Sequence, residues 1–309
     1  MKNILVTGAC GYVGKALIPE LKNVNLYTID RDHDQKIFNQ SQSFFCNDLN
    51  KLTSDTKKFL ANYSGIIVHL AAARSDDFRE ESYVDDNIKA TQAFIGNLDP
   101  KKIQLFIHVG SVAAIDGEIL DRQSSQITCS DDWYRLTKYQ QQKIIESWSV
   151  KNDIPLIVLA PSAIHDNNAS MHSTNIGRLE KIVKFVKIVP EINVLKSLTH
   201  MPHFINAIRY FTDNKIDDLY NKGIGLPQRY LILDKPIMTI TDICRNKFKA
   251  KLVIKVPKLK SILLIFARLI KLVGLDKKIP LSKERVIKLY KPTDYSNTAG
   301  YKEWINEET

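Results

Sequence analysis

The sequence predicts an α/β fold, with a doubly wound parallel sheet followed by a smaller, mixed C-terminal domain. Over about the first 160 residues, short apolar runs alternate with segments that can form helices, the pattern of a parallel sheet covered on both faces. A chain of 309 residues is also long enough to bury a large core. We predict strands at 4–6, 26–29, 43–46, 65–70, 103–109 and 156–159, and two domains at 1–162 and 163–309.

The first strand leads into a glycine-rich turn. Gly8, Gly11 and Gly14 follow the apolar run 4–6 and precede a segment, 12–21, that can be helical. Glycine suits these positions because a diphosphate rests against bare backbone at a helix N-terminus, where N–H groups and the helix dipole attract negative charge. Pro19 lies inside the helical window, so we expect the helix to kink or end near it. This strand, turn and helix predict a dinucleotide-binding domain of the Rossmann type.

An acidic residue closes the second predicted strand. Asp30 follows the apolar run 26–29, sixteen residues beyond Gly14, where a carboxylate can accept both hydroxyls of an adenosine ribose. Asp30 favours NAD because it repels a 2′-phosphate, whereas the adjacent Arg31 could accommodate one. The sequence therefore favours NAD and leaves NADP open.

Candidate site residues follow the later strands, because ligands of such sheets bind beyond the carboxyl ends of the strands. After the third strand, Asp48 and Leu49 could contact an adenine, or Asp48 could only cap the next helix. After the fourth strand, the small residues 71–73 could let the backbone approach a flat cofactor, or start a packed helix. After the fifth strand, the Ser111 hydroxyl could bind a substrate oxygen or cap a helix.

Two Tyr-x-x-x-Lys pairs overlap on one predicted helix. Residues four apart share a helix face, so Tyr134 lies beside Lys138 and Tyr139 beside Lys143. A neighbouring ammonium lowers the pKa of a phenol from about 10 towards neutrality and makes it a usable acid or base. The two pairs point in different directions, so both cannot face one cofactor. We select Tyr134, which is nearer the carboxyl edge of the sheet, and expect Tyr139 to be a packing residue.

Together these motifs resemble the extended short-chain dehydrogenase/reductase family, and within it the NAD-dependent nucleotide-sugar epimerase/dehydratase group. The resemblance extends over about the first 165 residues. Thr137 suits the small hydroxyl residue that the family places before its lysine, which supports Tyr134 over Tyr139. The residues that carry the resemblance are those at 7–14, Asp30, Asp48, Leu49, those at 69–72, Asn87, Tyr134, Lys138 and those at 160–162.

The resemblance implies a mechanism and a cofactor site. Tyr134 would transfer the proton, Lys138 would lower its pKa and hold the nicotinamide ribose, and a sugar hydroxyl would be oxidised transiently. The implied catalytic residues are Tyr134, Lys138 and Ser111. The implied cofactor contacts are Gly8, Gly11, Tyr12, Val13, Gly14, Asp30, Arg31, Asp48, Leu49, Leu70, Ala71, Ala72, Asn87, Tyr134, Lys138 and Pro161.

One position departs from the family pattern. Where the family places its catalytic Ser or Thr, this chain has Val112, and Ser111 occupies the preceding position. Either the strand end shifts by one residue to present Ser111, or the proton relay lacks its hydroxyl. The dehydratase branch needs an acid pair just beyond this point, which Ala113 and Ala114 cannot supply. Dehydration is therefore disfavoured.

These observations lead us to expect an NAD(P)-dependent nucleotide-sugar epimerase in surface polysaccharide biosynthesis. An NAD(P)H-dependent 4-keto sugar nucleotide reductase is the alternative, and Val112 leaves a non-catalytic dinucleotide-sensing protein open. The expected partner is a nucleotide sugar or a lipid-linked sugar, with a homodimer left open, and nucleic acid is disfavoured because few aromatic residues interleave the basic ones. His165, His200 and His203 lack the spacing of metal ligands, so no metal is expected.

The formal charge of +10 is concentrated near the C-terminus. Residues 245–291 contain fifteen lysines and arginines against two acidic residues, a net charge of +13 that leaves −3 for the rest of the chain. Within this stretch, 259–275 reads as a basic, mostly apolar helix that is too interrupted to span a bilayer. We favour packing on the substrate domain or a partner subunit; contact with anionic headgroups at a membrane surface is the alternative.

The N-terminal sequence leads to an expectation about the cellular location of the protein. Met1 is followed almost at once by the first strand, so we expect no signal peptide and a cytoplasmic protein. The basic helix would allow association with the inner face of the membrane.

Overall fold

The computed structural model describes residues 1–73, 80–122, 130–166, 180, 183–214, 227–272 and 283–304. The chain forms two compact units. Unit 1 comprises Met1–Ser162, Thr199–Ile232 and Thr298–Thr309, and unit 2 comprises Ala163–Leu198 and Leu233–Asn297.

Unit 1 is built on an eight-stranded parallel sheet. Its first six strands are β1 (Lys2–Thr7), β2 (Val24–Asp30), β3 (Ser43–Cys46), β4 (Gly65–His69), β5 (Ile103–Val109) and β6 (Leu156–Pro161). Each lies within two residues of its predicted bounds. Beyond unit 1's first segment come β7 (Ala163–His165), β8 (Ile188–Pro190), β9 (Leu195–Lys196), β10 (Leu198–His200), β11 (Gln228–Ile232), β12 (Met238–Thr239), β13 (Leu252–Ile254) and β14 (Lys302–Glu303).

The sheet order is β14-β11-β6-β5-β4-β1-β2-β3, and every neighbouring pair is parallel. All residues of β4 and β6 are buried, as expected of strands covered on both faces. The chain was predicted to divide once, at 162/163. Instead, 199–232 and 298–309 belong to unit 1, because β11 pairs with β6 and β14 pairs with β11. The ring of Trp304, which follows β14, lies 4.7 Å from the ring of Tyr210 in the same unit.

The helices cover the sheet and complete unit 2. They are α1 (Tyr12–Leu17), α2 (Gln35–Gln40), α3 (Ser54–Asn62), α4 (Glu80–Tyr83), α5 (Ala90–Ile95), α6 (Ala113–Arg122), α7 (Ser130–Lys151), α8 (Met201–Asp213), α9 (Ile240–Asp242), α10 (Leu259–Leu272) and α11 (Lys283–Tyr290). Helix α1 ends at Leu17 and gives way to a 3-10 turn, Ile18–Glu20, that contains Pro19, which confirms the predicted break. Within the described residues, no helix has both the length and the apolar character needed to cross a bilayer.

Unit 2 has a core of its own. The side chains of Val183, Val189 and Ile192 are buried there with those of Ile240 and Ile243. Two short strand pairs accompany this core, with β8 parallel to β13 and β9 antiparallel to β12. The predicted basic helix 259–275 is observed as α10, and 273–275 lie outside the described residues.

Candidate active site

The glycine-rich turn connects β1 to α1 beside the end of β4. Gly8 has a φ of +72°, which L side chains rarely adopt, and a Cβ there would lie 2.8 Å from the Ala71 amide nitrogen. A Cβ on Gly14 would meet the Ala9 carbonyl group, whose carbon would be 2.6 Å away. The fold itself therefore requires glycine at both positions. Gly11 is the N-cap of α1, and its N–H donates to the Gly8 carbonyl at 3.1 Å.

The first turn of α1 contains Tyr12 and Val13, which follow the N-cap directly. No side chain caps this helix start. The N–H groups of a first turn have no partner within their own helix, and the helix dipole is positive there. The turn thus has the character of an anion-binding helix start.

Asp30 ties the end of β2 to the glycine-rich turn. One carboxylate oxygen accepts the Cys10 N–H at 2.8 Å, and the other accepts the Asp32 N–H at 2.9 Å. A carboxylate oxygen has two lone pairs, so each can accept a further hydrogen bond. Arg31, by contrast, is engaged: its Nη1 lies 3.1 Å from both carboxylate oxygens of Asp86. A 2′-phosphate would have to compete with Asp86 for this guanidinium.

The residues after β3 and β4 have structural partners. Asp48 accepts the Asn50 N–H at 2.9 Å and so caps the 3-10 turn Leu49–Lys51, which is the capping alternative for this residue. Leu49 is buried. After β4, the N–H of Leu70 donates to the Thr7 carbonyl at 3.1 Å. Together with Ala71 and Ala72, Leu70 forms a short, partly buried segment beside the glycine-rich turn.

Asn87 bridges this segment to α7. It is fully buried on a π-helical turn, Val84–Lys89, a local geometry that is frequent at functional sites. Its side-chain oxygen accepts the Ala73 N–H at 2.8 Å, and its nitrogen donates to the Thr137 hydroxyl at 3.0 Å. The Thr137 hydroxyl in turn donates to the Trp133 carbonyl at 2.8 Å. The amide of Asn87 therefore fixes α7 relative to the end of β4.

Lys138 is buried at the carboxyl end of β5. Its ammonium nitrogen lies 3.4 Å from the Val109 carbonyl oxygen and 2.5 Å from Gln141 Oε1. Burial lowers the pKa of Lys138 to about 7. Gln141 donates through Nε2 to the Thr91 hydroxyl at 2.9 Å and so holds its oxygen towards the lysine. Sequence reasoning missed Gln141, although its spacing of three residues from Lys138 places both on one helix face.

The two candidate tyrosines have different surroundings. The ring of Tyr134 is partly buried, with its centroid 5.9 Å from that of Tyr83. Tyr139 faces α6, where a Cβ on Gly117 would lie 2.9 Å from Tyr139 Cβ. The pKa of the Tyr139 phenol is raised by burial, and then by the charges of Glu118 and Asp121. A phenol with a raised pKa is a poor base near neutral pH, and Tyr139 packs between two helices.

The hydroxyl at the tip of β5 belongs to Ser111. Val112 is buried, and its N–H donates to the Pro161 carbonyl at 3.1 Å, at the end of β6. The Ser111 oxygen accepts the Ala113 N–H at 3.1 Å and caps α6, which leaves its own proton for another acceptor. The capping alternative for Ser111 is therefore observed, its side chain is partly buried, and its contact with a substrate oxygen stays a prediction.

Two buried histidines lie behind Lys138, at the ends of β4 and β5. His69 Nδ1 is 2.7 Å from the Thr7 hydroxyl, and the ring stacks on Phe94 with centroids 5.3 Å apart. Neither ring nitrogen of His108 has a hydrogen-bond partner in the described part of the chain. Burial, and then the charge of Lys138, lowers the pKa of His69 to about 3 and that of His108 well below its usual value. Both rings are therefore neutral.

Unit 2 contains a polar cluster of its own. Asp234 Oδ2 lies 2.8 Å from His165 Nε2 and 3.1 Å from Lys247 Nζ. His200 and His203 belong to unit 1 instead. Among the described residues, no group of three or more His, Cys, Asp or Glu side chains could hold a metal ion.

Comparisons with known proteins agree with this architecture. The family model described as the NAD-dependent epimerase/dehydratase family matches residues 4–200. The solved terminal R domain of the myxalamid PKS-NRPS biosynthetic pathway is 17% identical, with a TM-score of 0.66 over 97% of this chain and 86% of that one. The UDP-glucuronic acid 4-epimerase from Bacillus cereus, solved with NAD, is 18% identical, with a TM-score of 0.60 over 94% of this chain and 98% of that one.

A curated relative is similar over a shorter stretch. Trichosetin synthetase PKS-NRPS1 of Gibberella fujikuroi is 25% identical over 203 residues, which is 60% of this chain and 5% of that protein. The solved structures confirm the predicted Rossmann-like parallel sheet. Because the family model matches well over half of its residues, the chain belongs to the NAD-dependent epimerase/dehydratase family, and NAD is the cofactor of that family.

Proposed function

We propose that this protein is an NAD-dependent epimerase of a nucleotide sugar that acts by transient oxidation of a sugar hydroxyl. The observation that carries the proposal is the arrangement on α7, where Tyr134 lies one turn before the buried Lys138. Asn87 holds the intervening Thr137 at 3.0 Å and thereby fixes the helix beside the end of β4. Membership of the epimerase/dehydratase family supports this reading, as does the similarity in fold to UDP-sugar 4-epimerases.

The residues present fit NAD. Gly8 and Gly11 leave bare backbone at the uncapped start of α1, which suits a diphosphate. Asp30 keeps lone pairs for the ribose hydroxyls, while Arg31 is engaged by Asp86. These contacts favour NAD over NADP. Of the other predicted cofactor contacts, Asn87 would act by holding the Ala73 amide in place.

When bound, NAD supplies a hydride acceptor that oxidises a carbinol carbon and later returns the hydride to its other face. The chain moves the proton. Tyr134, as phenolate, accepts the proton of the sugar hydroxyl while a ketone forms, and gives it back when the carbon is reduced. Lys138 favours the phenolate only while it is charged, and its contacts with Val109 and Gln141 offer acceptor oxygens to the ammonium. Ser111 would donate its hydroxyl proton to the substrate oxygen.

The proposal is tested with purified protein and a panel of UDP- and dTDP-sugars, with no cofactor added. We expect NMR to show inversion at one sugar carbon, and acid release to yield bound NAD. Tyr134→Phe should lower turnover at least about 100-fold, the lower range for loss of a general acid–base group, while NAD stays bound. Tyr139→Phe is the matched control and should stay close to wild type. If no sugar is converted, or if Tyr134→Phe turns over normally, the proposal is wrong.

A second candidate is a reductase of a 4-keto sugar nucleotide. We keep this candidate because the terminal R domain of the myxalamid pathway shares the fold of this protein over 97% of the chain, and that domain is not named as an epimerase. A reductase would consume one reduced cofactor for each product, whereas an epimerase recycles it. A dinucleotide-sensing protein would bind NAD and convert nothing. A role in surface polysaccharide biosynthesis and a homodimer both stay predictions.

A further inference from the structure

The exposed apolar side chains are concentrated in unit 2. Of the sixteen large apolar residues that are well exposed in the described part of the chain, twelve belong to unit 2. Unit 1, which contains more residues, has four. Scattered apolar residues at a surface are ordinary, but a concentration of them indicates an interaction site.

Five of the twelve form a stripe along α10. Their spacing of 0, 3, 4, 7 and 10 residues places them on one face of the helix, and between 37% and 85% of each residue is exposed. The first four of these residues lie within one continuous strip of the helix surface, and the fifth, Leu272, extends the strip at the end of the helix. We call this surface the α10 stripe, and its residues are Ile262, Ile265, Phe266, Leu269 and Leu272.

The opposite face of α10 packs on unit 2. Ala267 is buried, and Leu259 packs on the unit 2 core together with Tyr290 of α11. The Lys260 ammonium lies 5.8 Å from the centroid of the Tyr290 ring. The packing that we favoured from sequence therefore occupies one face of the helix and leaves the α10 stripe uncovered in the described structure.

Basic residues adjoin the α10 stripe. At about 100° per residue, Lys260, Arg268 and Lys271 fall within an arc of roughly 80° beside it. All three are exposed. Residues 245–291, which include the α10 stripe and these three basic residues, have a net charge of +13, whereas the net charge of the rest of the chain is −3. The positive charge of this protein is thus concentrated in the same stretch of sequence as the α10 stripe.

We propose that the α10 stripe lies in the interface of an anionic lipid membrane, with Arg268 and Lys271 contacting the headgroups. A helix with an apolar face, a basic flank and too little length to span has the properties of a helix that lies in the plane of a bilayer surface. The charge complementarity selects anionic lipid over a neutral partner surface. This inference does not depend on the proposed reaction, because it concerns residues of unit 2 that take no part in it.

The test is flotation of the full chain with phosphatidylcholine vesicles, with and without phosphatidylglycerol. The wild type should float only with the anionic vesicles and should be released in 1 M salt, where the Debye length falls to about 3 Å. Arg268→Gln with Lys271→Gln should weaken the vesicle partition constant about 30-fold, from the contribution of two basic residues near an anionic surface. Lys36→Gln with Lys57→Gln, two exposed lysines of unit 1, is the matched control and should float like the wild type.

The apolar side is tested separately. Phe266→Ser should weaken vesicle binding at least about tenfold, since a phenyl ring would no longer leave water. Phe38→Ser is the control, because Phe38 is exposed to a similar degree in unit 1, and thermal melts check that each variant is folded. The proposal is overturned if the wild type does not float, or if it floats equally with both vesicle types. It is also overturned if light scattering finds a dimer that Phe266→Ser dissociates, because a second copy would then cover the stripe.

Discussion

Replacing Lys138 by methionine should stabilise the protein near neutral pH and remove a specific pH dependence of its stability. Burial lowers the pKa of this lysine from 10.5 to about 7. The unfolded chain therefore keeps the proton up to pH 10.5, whereas the folded protein gives it up near pH 7. Between these values unfolding takes up a proton, so the free energy of unfolding of the wild type rises with pH by about 1.4 kcal/mol per unit.

The magnitude follows from these two pKa values. At pH 7 the buried lysine lowers the free energy of unfolding by about 4 kcal/mol, and at pH 9 by about 2 kcal/mol. Methionine fills a similar volume but leaves the Gln141 and Val109 oxygens without this donor, which costs about 1–3 kcal/mol at any pH. Lys138→Met should therefore be more stable than the wild type by about 1–3 kcal/mol at pH 7, and the two should be nearly equal at pH 9.

The assay is urea unfolding followed by circular dichroism at pH 7, 8 and 9 and constant ionic strength. The two buried histidines near Lys138 do not titrate in this comparison, because burial keeps the pKa of His69 near 3 and that of His108 also well below this pH range. Lys143→Met, at an exposed position of the same helix, is the control for losing a lysine. If the difference in the free energy of unfolding between the wild type and Lys138→Met stayed constant from pH 7 to pH 9, the reasoning would be refuted.

Three further substitutions test the scaffold of the site, each by urea unfolding. Gly8→Ala should lose about 2 kcal/mol or more and weaken NAD binding, because a φ of +72° strains a residue with a Cβ, whereas Gly110→Ala, with 3.5 Å to its nearest neighbour, should change little. Asn87→Ala should cost about 2–4 kcal/mol through two lost buried hydrogen bonds, and Asn87→Asp should cost at least as much, because it loses the donor to Thr137 and buries an ionisable carboxyl group. Arg229→Met should lower the free energy of unfolding by about 3 kcal/mol, because it leaves the carboxylate of Glu146 buried without its guanidinium partner. That guanidinium contacts both carboxylate oxygens, at 2.7 and 2.8 Å. Adding Glu146→Gln should restore most of the lost stability.

The sequence predicted six strands of the sheet because each is a short apolar run bounded by turn residues. The remaining two could not be found that way. Strand β14 is only two residues long, Lys302–Glu303, and both are exposed, so no hydrophobic pattern marks it. Strand β11 begins with Gln228 and Arg229 and has buried apolar residues only at its end, and it joins β6 across a gap of more than sixty residues. Such pairings depend on non-local contacts that local patterns do not encode.

At the site, the motifs predicted positions but not partners. Asp48 and Arg31 were read as cofactor contacts, and the structure shows each with a protein partner, a backbone N–H for Asp48 and the carboxylate of Asp86 for Arg31. The partner of Arg31 lies 55 residues away in sequence, which spacing arguments cannot reach. The role of Gln141 also depends on the depth at which Lys138 is buried. These features follow from packing between elements, whereas the glycine-rich turn follows from its own local conformation.

Packing bears on the choice between Tyr134 and Tyr139, which spacing alone leaves open. The buried polar residues of α7 recur with helical periodicity at 137, 138, 141, 142, 146 and 149, and this face is turned towards the sheet. Tyr134 lies three and four residues before the start of that face and therefore shares it with Thr137 and Lys138. Tyr139 is rotated by about 100° from Lys138, towards Gly117 of α6. Asn87 fixes this rotation through its hydrogen bond to Thr137. A helix turned to present Tyr139 in place of Tyr134 would have to give up the buried hydrogen bonds of Asn87, Lys138 and Gln141 together. This packing supports the proposal that Tyr134 transfers the proton.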